Sequence, residues 1–400
     1  MNDAQLDQRF AALTALLQAQ QAWWRPRAFV LPQLPWESEQ PELSQRLRAL
    51  SLEESERLAA DEMALAQWLA PWLPIAATLH ELLELPRAPQ FIRIAAPREP
   101  AGVPGRKWQQ IQAFVAALPE VQLPAVEWCA GKAHLGRWYA RCGGAAVDAL
   151  EWNAALVQDG RAISQRVRLP VQVSQVDVLS AAAAPYLQAD RQVLALHACG
   201  ELHAQLLRLC AGDRPVQNIA LAPCCYHLNP HAIYQPLSRA ARAVDLPLDK
   251  LDLHTAVQEH VTSPEREQKQ RRQLQAWRLG FDLLQRELRG VDDYLPTPSQ
   301  SLLVLRDGFG AYCMRMAQLK HLALPDRIDC ARYEQHGWRR FAEVNALDLP
   351  RLLFRRALEM WLVLDRALLL RENGYRVDLS TFCERALTPR NILLRASRSR

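Results

Sequence analysis

Residues 127–136, E-W-C-A-G-K-A-H-L-G, combine small and polar side chains in a way that suits the binding of a nucleotide-like ligand. They follow a strand candidate and lead into a helical segment. A tight turn from strand to helix needs small residues so that the backbone can approach a ligand, and Gly131 meets that need. Lys132 and His134 are expected to project outward while Leu135 anchors the helix. The predicted ligand contacts of this segment are Glu127, Cys129, Ala130, Gly131, Lys132, Ala133, His134 and Leu135.

Two carboxylates follow this loop at the ends of the next two strand candidates. Glu151 ends A-A-V-D-A-L-E, twenty positions after Gly131. A carboxylate at the tip of a second strand can accept hydrogen bonds from both hydroxyls of a ribose. Asp177, followed by Val178 in S-Q-V-D-V-L, ends the third strand candidate, where a carboxylate can accept a bond from an adenine amino group. Three elements in this order predict a site for a nucleoside cofactor.

The loop favours one cofactor over another. A dinucleotide fingerprint, G-x-G-x-x-G, turns bare amides and a helix dipole toward a pyrophosphate. Here Ala133 occupies the second glycine position, and the acidic Glu127 starts the loop. An acidic side chain disfavours a nearby pyrophosphate, whereas it suits a cofactor that carries an amino group and a sulfonium. The residues therefore predict S-adenosylmethionine rather than NAD(P).

A second set of polar residues follows the fourth and fifth strand candidates, whose carboxyl ends share one crevice in a doubly wound sheet. Four interpretations of the cluster stay open. A histidine acts as a base toward a hydroxyl or amine, a cysteine attacks a pyrimidine ring, the thiols and imidazoles bind zinc, or the thiols pack in a buried turn. Zinc is disfavoured because adjacent cysteines chelate one ion awkwardly and no C-x-x-C pair exists, so no metal ligand is predicted. The predicted catalytic residues are His197, Cys199, Cys224, Cys225, Tyr226 and His227, and His197 and Ala198 are also predicted to contact the cofactor.

Three segments of the sequence resemble class I S-adenosylmethionine-dependent methyltransferases, in particular a methyltransferase-like family with paired cysteines. They are C-A-G-K-A-H-L at 129–135, A-L-H-A-C-G-E-L at 195–202 and P-C-C-Y-H at 223–227. That family includes a domain fused to a glutathione S-transferase-like module in animals, and it is similar to tRNA 2′-O-methyltransferases. The resemblance covers residues 105–255 well and the last twenty-five loosely. It departs at Ala133, where the family has glycine, and at Glu201, where it has aspartate.

The order of elements predicts an α/β fold, a Rossmann-like class I methyltransferase sheet with helices on both faces. Strands separated by helical segments argue for a parallel sheet with right-handed crossovers. The predicted strands are 121–129, 145–150, 171–178, 192–197 and 218–222, with 375–379 and 391–394 returning to close the sheet. Further predictions are a hairpin over 301–316 and an amphipathic helix over 349–372. Four segments are expected: an N-terminal helical region (1–100), the core (101–255), a mostly helical insertion (256–372), and closing strands with a basic tail (373–400).

The distribution of charge along the sequence gives an indication of the methyl acceptor. Residues 1–84 carry a net charge of −6 and the remainder +11, and a basic region is compatible with a polyanionic partner. Together with the resemblance, this predicts RNA as the methyl acceptor. The alternatives are a protein or small-molecule acceptor, or a cofactor-binding scaffold without turnover. The nine scattered cysteines, the lack of a signal pattern and the lack of a long apolar run lead us to expect a cytoplasmic protein with no membrane association. The oligomeric state is not indicated.

Overall fold

The computed structural model describes residues 3–91, 103–119, 122–143, 145–212, 214–258 and 265–398, which form two compact units. The first, called here the sheet unit, is drawn from residues 1–18, 80–257 and 356–400. The second, called the helical unit, is drawn from residues 19–79 and 258–355. The predicted segments 1–100 and 256–372 thus both contribute to the helical unit, and the division of the chain into four segments stays a prediction.

The helices of the described residues are α1 (Asp3–Ala19), α2 (Gln21–Trp24), α3 (Pro41–Arg48), α4 (Leu52–Ala60), α5 (Glu62–Leu69), α6 (Ile75–Leu83), α7 (Gly105–Ala116), α8 (His134–Gly143), α9 (Ala154–Val167), α10 (Glu201–Ala211), α11 (Arg239–Arg242), α12 (Lys250–Thr255), α13 (Glu265–Arg289), α14 (Gly308–Leu319), α15 (Cys330–Leu347), α16 (Leu349–Leu353) and α17 (Arg355–Glu372). Short 3-10 turns occupy Pro35–Glu37, Ala181–Tyr186 and Leu302–Asp307. The strands are β1 (Ala125–Trp128), β2 (Val147–Glu151), β3 (Val171–Gln175), β4 (Gln192–Cys199), β5 (Asn218–Cys224), β6 (Arg376–Thr381) and β7 (Ile392–Ser397).

The seven strands form one sheet in the order β3-β2-β1-β4-β5-β7-β6. Strands β1 to β5 run parallel, while β7 pairs antiparallel with both β5 and β6. The order reverses between β1 and β4, and ligands bind at such a switch point, outside the carboxyl ends of the strands. The predicted α/β Rossmann-like fold is therefore confirmed.

The central parallel strands β1, β4 and β5 form because each carries a short, nearly continuous run that is buried on both faces, whereas the edge strand β3 exposes two of its five residues. All four residues of β1 are buried. Helix α7 packs its apolar side, including Trp108, Ile111 and Phe114, into the same core as the strands. The five predicted parallel strands are present with ends shifted by a few residues, although residues 120–121 lie outside the described part of the chain. The two predicted closing strands are present as β6 and β7.

The prediction of one amphipathic helix over 349–372 is wrong in two respects. The segment forms two helices, α16 and α17, and residues 351–370 are buried without interruption. Within the sheet unit, α17 contacts α1 on one side, where the Trp361 ring stacks on Phe10 at 5.5 Å. It contacts α10 on another side, where Arg366 Nε donates to His203 Nε2 at 2.8 Å. A helix that is enclosed by neighbours has no solvent face and cannot be amphipathic.

The predicted hairpin over 301–316 is also wrong. Ser301 caps a 3-10 turn, and Gly308, with φ +82°, begins the helix α14. Phe309, Tyr312 and Met316 are buried at helical spacing in the core of the helical unit. The Asp307-Gly308 pair therefore starts a helix, because the apolar period that follows is helical.

The predicted basic tail is largely part of the sheet. Arg395 lies within β7 and donates to Asp378 Oδ2 at 2.5 Å, and Arg398 donates to the Asn373 carbonyl at 2.6 Å. Residues 399–400 lie outside the described part of the chain. No helix in the described residues is long and apolar enough to cross a membrane.

Candidate active site

The loop between β1 and α8 is a tight turn with an unusual backbone. Cys129, Gly131 and Ala133 have φ of 61°, 56° and 58°, in the left-handed region. The loop lies against the end of β2, because the Ala130 amide donates to the Leu150 carbonyl at 2.8 Å. Ala133, where the resembling family has glycine, therefore occupies a conformation that glycine adopts without strain. The predicted anchor Leu135 is buried.

Glu151 joins this loop to the end of its own strand. Its Oε2 accepts from the Gly131 amide at 2.8 Å, and its Oε1 accepts from the Asn153 amide at 3.0 Å. Each carboxylate oxygen has a second lone pair, so both can also accept from a ligand hydroxyl. Trp152, the next residue, is 71% exposed. Sequence reasoning missed this indole, although its position directly after the predicted ribose-binding acid marks it.

Asp177 lies beside Glu151, because the Val176 amide donates to the Glu151 carbonyl at 2.9 Å. Its carboxylate is exposed and accepts from the Leu179 amide through Oδ1 at 2.9 Å. Val178 is buried. The structure thus brings the loop after β1, Glu151 and Asp177 to one edge of the sheet, as the sequence predicted.

Glu127 differs from these acids because it is buried beneath the loop. Its Oε2 accepts from the Gly136 amide in the first turn of α8, at 2.9 Å. A Cβ at Gly136 would lie 2.6 Å from that same oxygen, so only glycine allows this contact. Burial raises the pKa of Glu127 to about 7, and the Gly136 hydrogen bond and the Arg137 charge offset this only partly. Glu127 thus caps the first turn of α8, and its contact with the cofactor stays a prediction.

Cationic groups surround the start of α8. Lys132 pairs with Asp159 at 2.8 Å, and Arg137 Nη2 lies 3.0 Å from His134 Nδ1. Burial, followed by the charges of Arg137, Lys107 and Lys132, lowers the pKa of His134 to about 4. His134 is therefore neutral near pH 7, and the positive charges stay on its neighbours.

His197 is held in one orientation by a residue that sequence reasoning missed. Gln110, on α7, donates through Nε2 to the Leu387 carbonyl at 3.1 Å, which turns its Oε1 toward His197. That oxygen accepts from His197 Nε2 at 2.9 Å. The proton is thereby placed on Nε2 and the lone pair on Nδ1. Burial, followed by the charge of Lys107, lowers the pKa of His197 to about 4, so the ring is a neutral potential base near pH 7.

The thiols after β4 and β5 converge. The Sγ atoms of Cys199 and Cys224 are 3.4 Å apart, and those of Cys199, Cys224 and Cys225 all lie within 4.8 Å of one another. Hydrogen bonds from the other two thiols lower the pKa of Cys225, whereas that of Cys224 is raised. Burial raises the pKa of Cys129 to about 12, so this thiol is protonated beside the predicted cofactor loop.

Gly200 allows the loops after β4 and β5 to meet. Its φ is +56°, and a Cβ there would overlap the carbonyl oxygen of Leu228. The Gly200 amide donates to the Cys224 carbonyl at 3.0 Å. This glycine stands inside the H-A-C-G segment, and its role was not predicted.

Two further predicted catalytic residues, Tyr226 and His227, differ in their burial. Tyr226 is 1% exposed, and its ring lies 4.8 Å from the Arg366 guanidinium, so it packs in the interior. His227 is half-buried, with its ring 5.2 Å from that of His254. The Ala198 carbonyl near the end of β4 accepts from His203 Nδ1 of α10 at 2.7 Å, and this hydrogen bond holds the end of the strand to the helix.

Residues 106–229 match a family described as a methyltransferase domain. Together with the class I strand order, this supports the predicted S-adenosylmethionine-dependent methyltransferase and its methyl donor. None of the curated proteins compared with the chain matches it.

Several solved structures of methyltransferases are similar to this chain at low identity. An RNA methyltransferase from Salinibacter ruber, in complex with S-adenosyl-L-homocysteine, has 11% identity and a TM-score of 0.25, over 36% of this chain and 86% of that one. A magnesium protoporphyrin IX methyltransferase from Synechocystis PCC 6803 has 10% identity and a TM-score of 0.32, over 85% and 100%. A geranyl diphosphate C-methyltransferase from Streptomyces coelicolor A3(2) has 14% identity and a TM-score of 0.23, over 34% and 56%. The chain spans about half the length of several structures that it matches. Likenesses this low say nothing about the acceptor.

The residues at these strand ends fit S-adenosylmethionine. Glu151 and Asp177 supply acceptor oxygens at the ends of β2 and β3. An added Cβ at Gly131 would meet no atom within 4 Å, so the loop borders open space into which a ligand can enter. The carboxylates of Glu151 and Asp177 are hydrogen-bond acceptors, which suits an adenosine with hydroxyl and amino donors.

Proposed function

We propose that the chain is an S-adenosylmethionine-dependent methyltransferase that methylates RNA, with His197 as the base. The observation that carries this proposal is the hydrogen bond from His197 Nε2 to Gln110 Oε1 at the carboxyl end of β4. It fixes the tautomer that leaves Nδ1 able to accept a proton. His197 lies in β4, the strand next to β1, whose loop is the predicted cofactor site.

S-adenosylmethionine supplies a methyl group on a sulfonium, which is an activated leaving group. The chain has to hold this donor, align the acceptor and remove a proton from it. Glu151 and Asp177 would accept hydrogen bonds from its adenosine. His197 Nδ1 takes the proton that the acceptor hydroxyl or amine loses as its bond to the methyl carbon forms. Because its pKa is lowered to about 4, the ring is neutral at neutral pH and Nδ1 holds a free lone pair.

RNA as the acceptor is supported by the charge around this edge. The positive charges of Lys107, Lys132 and Arg137 help to lower the pKa of His134, and the charge of Lys107 also helps to lower that of His197. Lys132 is paired with Asp159 and Arg137 is buried, whereas Lys107 is exposed and makes no salt bridge within the described residues. Lys107 is therefore the cation beside the predicted cofactor loop that a phosphate backbone can reach.

The test is transfer of labelled methyl groups from S-adenosylmethionine to fractions of a cell extract. We expect label in RNA that ribonuclease removes and protease does not. His197→Gln should lower the incorporation at least about 100-fold, as expected for loss of a base. The matched control is His231→Gln, an exposed histidine on the loop after β5, which should keep full activity.

The other outcomes separate the alternatives. Label in protein or in a small molecule would overturn RNA as the acceptor while keeping the enzyme. Binding of S-adenosylmethionine without transfer to any fraction would favour a cofactor-binding scaffold. Full activity of His197→Gln would remove His197 from its role as the base.

A further inference from the structure

Three cysteines from neighbouring strand ends bring their sulfur atoms together in the sheet unit. The Sγ atoms of Cys199, Cys224 and Cys225 lie within 4.8 Å of one another. The Sγ atoms of Cys199 and Cys224 are 3.4 Å apart, well beyond the roughly 2.05 Å of a disulfide bond. We infer that these three thiols form a binding site for one Zn²⁺ ion.

The spacing of the sulfur atoms suits zinc. A Zn–S bond is about 2.3 Å long, so two thiolates on a tetrahedral ion are about 3.8 Å apart. The observed separations, 3.4 Å for one pair and at most 4.8 Å for the others, bracket that value. Small rotations of the side chains are therefore enough to bind an ion, without movement of the strands.

The backbone is strained at the two places that produce this convergence. Successive strand residues point to opposite faces, so Cys224 and Cys225 would normally diverge. Cys225, directly after β5, instead has φ +49°, which non-glycine residues rarely adopt. His197 has φ +68°, where the register of β4 on β5 shifts between Leu196 and Cys199. Strain of this kind is concentrated at functional sites. Packing of small thiols alone does not require it.

A fourth ligand position is available. Cys199 and Cys225 are partly exposed, so an ion can enter and keep a water molecule. His227 lies two residues beyond Cys225, and its Nδ1 is buried without a hydrogen-bond partner in the described part of the chain. The imidazole is not among the groups that lie within 4.8 Å of all three sulfur atoms. A water molecule is therefore the ligand that would complete a tetrahedral site with the three thiolates.

Three soft ligands decide the class of metal. Thiolates select zinc or copper(I) over magnesium, calcium and manganese, which prefer oxygen. No carboxylate belongs to this cluster of sulfur atoms. Zinc is the ion that pairs three protein ligands with one open position in many proteins.

The experiment uses the full-length protein, purified with a phosphine reductant, stripped of metal and titrated anaerobically with Co²⁺. We expect thiolate-to-cobalt charge transfer in the near ultraviolet and the strong visible bands of tetrahedral cobalt, saturating at one equivalent. Added Zn²⁺ should remove these bands. Cys225→Ser should weaken Co²⁺ binding at least tenfold, whereas Cys142→Ser should leave it unchanged. Cys142 is the matched control because it is also half-buried and lies on α8, outside the cluster.

A second measurement on the unaltered protein does not depend on the folding of a variant. Zn²⁺ should slow alkylation of Cys199, Cys224 and Cys225, mapped by mass spectrometry, and should leave the rate at Cys142 unchanged. Absence of the charge-transfer band in the folded protein would overturn the proposal. Equal binding by Cys225→Ser, or alkylation that Zn²⁺ does not slow, would overturn it as well. Neither readout depends on methyl transfer, so failure of the proposed function leaves this test intact.

Discussion

Glu127→Gln tests whether the buried acid at the end of β1 serves the fold or the cofactor. Burial raises the pKa of Glu127 to about 7 in the folded protein, from an ordinary value of 4.5. At pH values between these two pKa values, Glu127 keeps its proton in the folded protein but loses it in the unfolded chain. The free energy of unfolding therefore decreases as pH rises through this window and levels off above pH 7.

The size of the effect follows from the shift. At 1.36 kcal/mol for each pH unit, the ionised carboxylate costs the folded state about 3 kcal/mol above pH 7. Glutamine has the same shape and keeps an oxygen that can accept from the Gly136 amide. Glu127→Gln should therefore raise the free energy of unfolding by up to about 3 kcal/mol at pH 8. At pH 4.5, where both side chains are neutral, it should change this energy by less than about 1 kcal/mol.

The assay is urea unfolding at pH 4.5 and pH 8, followed by far-ultraviolet circular dichroism. Glu53→Gln, an exposed acid on α4, is the control and should show no such difference. An equal effect of Glu127→Gln at both pH values, or a loss of stability at pH 8, would refute the reasoning. The latter would mean that the nearby Arg137 stabilises an ionised Glu127.

The same variant decides the role of Glu127 in binding. A carboxylate beside the amino group and sulfonium of S-adenosylmethionine becomes more favourable as it ionises. If Glu127 contacts the cofactor, affinity should rise with pH through 7 and Glu127→Gln should lose that dependence. If calorimetric titration shows that the variant binds S-adenosylmethionine with unchanged affinity at pH 8, Glu127 caps the helix and does not contact the cofactor.

Three further predictions follow from individual contacts. Glu151→Ala should weaken the binding of S-adenosylmethionine by about 1–3 kcal/mol through lost hydrogen bonds to a charged acceptor, measured by calorimetry; unchanged affinity in a folded variant would remove Glu151 from the site. Gln110→Glu places a carboxylate against His197 and should raise the pKa of that ring from about 4. An NMR titration should then show the ring taking up its proton at higher pH. A titration midpoint equal to that of the unaltered protein would contradict the contact. Gly200→Ala should lower the free energy of unfolding by at least about 2 kcal/mol, because the new methyl overlaps a backbone carbonyl. Gly131 has the same φ of +56° but borders open space, so Gly131→Ala should lower the free energy of unfolding by only about 1–2 kcal/mol. Equal costs for the two glycine variants in urea unfolding would show that the overlap is relieved by movement of the loop.

Local patterns along the chain were enough to predict the sheet and the candidate cofactor site. Short buried runs between helical segments determine parallel strands, and the acids that end such strands must lie along one edge of the sheet. Glu151 and Asp177 therefore lie where they were expected, beside the loop around Gly131. The carboxyl ends of β4 and β5 likewise had to meet, so Cys199 and Cys224 are neighbours.

Other features depend on distant parts of the chain and have no local signal. Gln110 orients His197 across 87 residues of sequence. The burial of α17 depends on α1, which comes from the far end of the chain. A pattern of apolar residues along α17 predicts the helix but not the elements that pack around it. The pattern therefore could not show that neighbouring elements enclose this helix.

The sequence by itself determined which residues stand at the ends of the strands, because strand period and turn chemistry are local. Only the tertiary structure decided how those residues are used. Burial, which many elements create together, set the pKa of Glu127, and the fold gave its carboxylate the Gly136 amide as a hydrogen-bond donor. The backbone strain at His197 and Cys225, which only the surrounding packing can maintain, brought three thiols to one point.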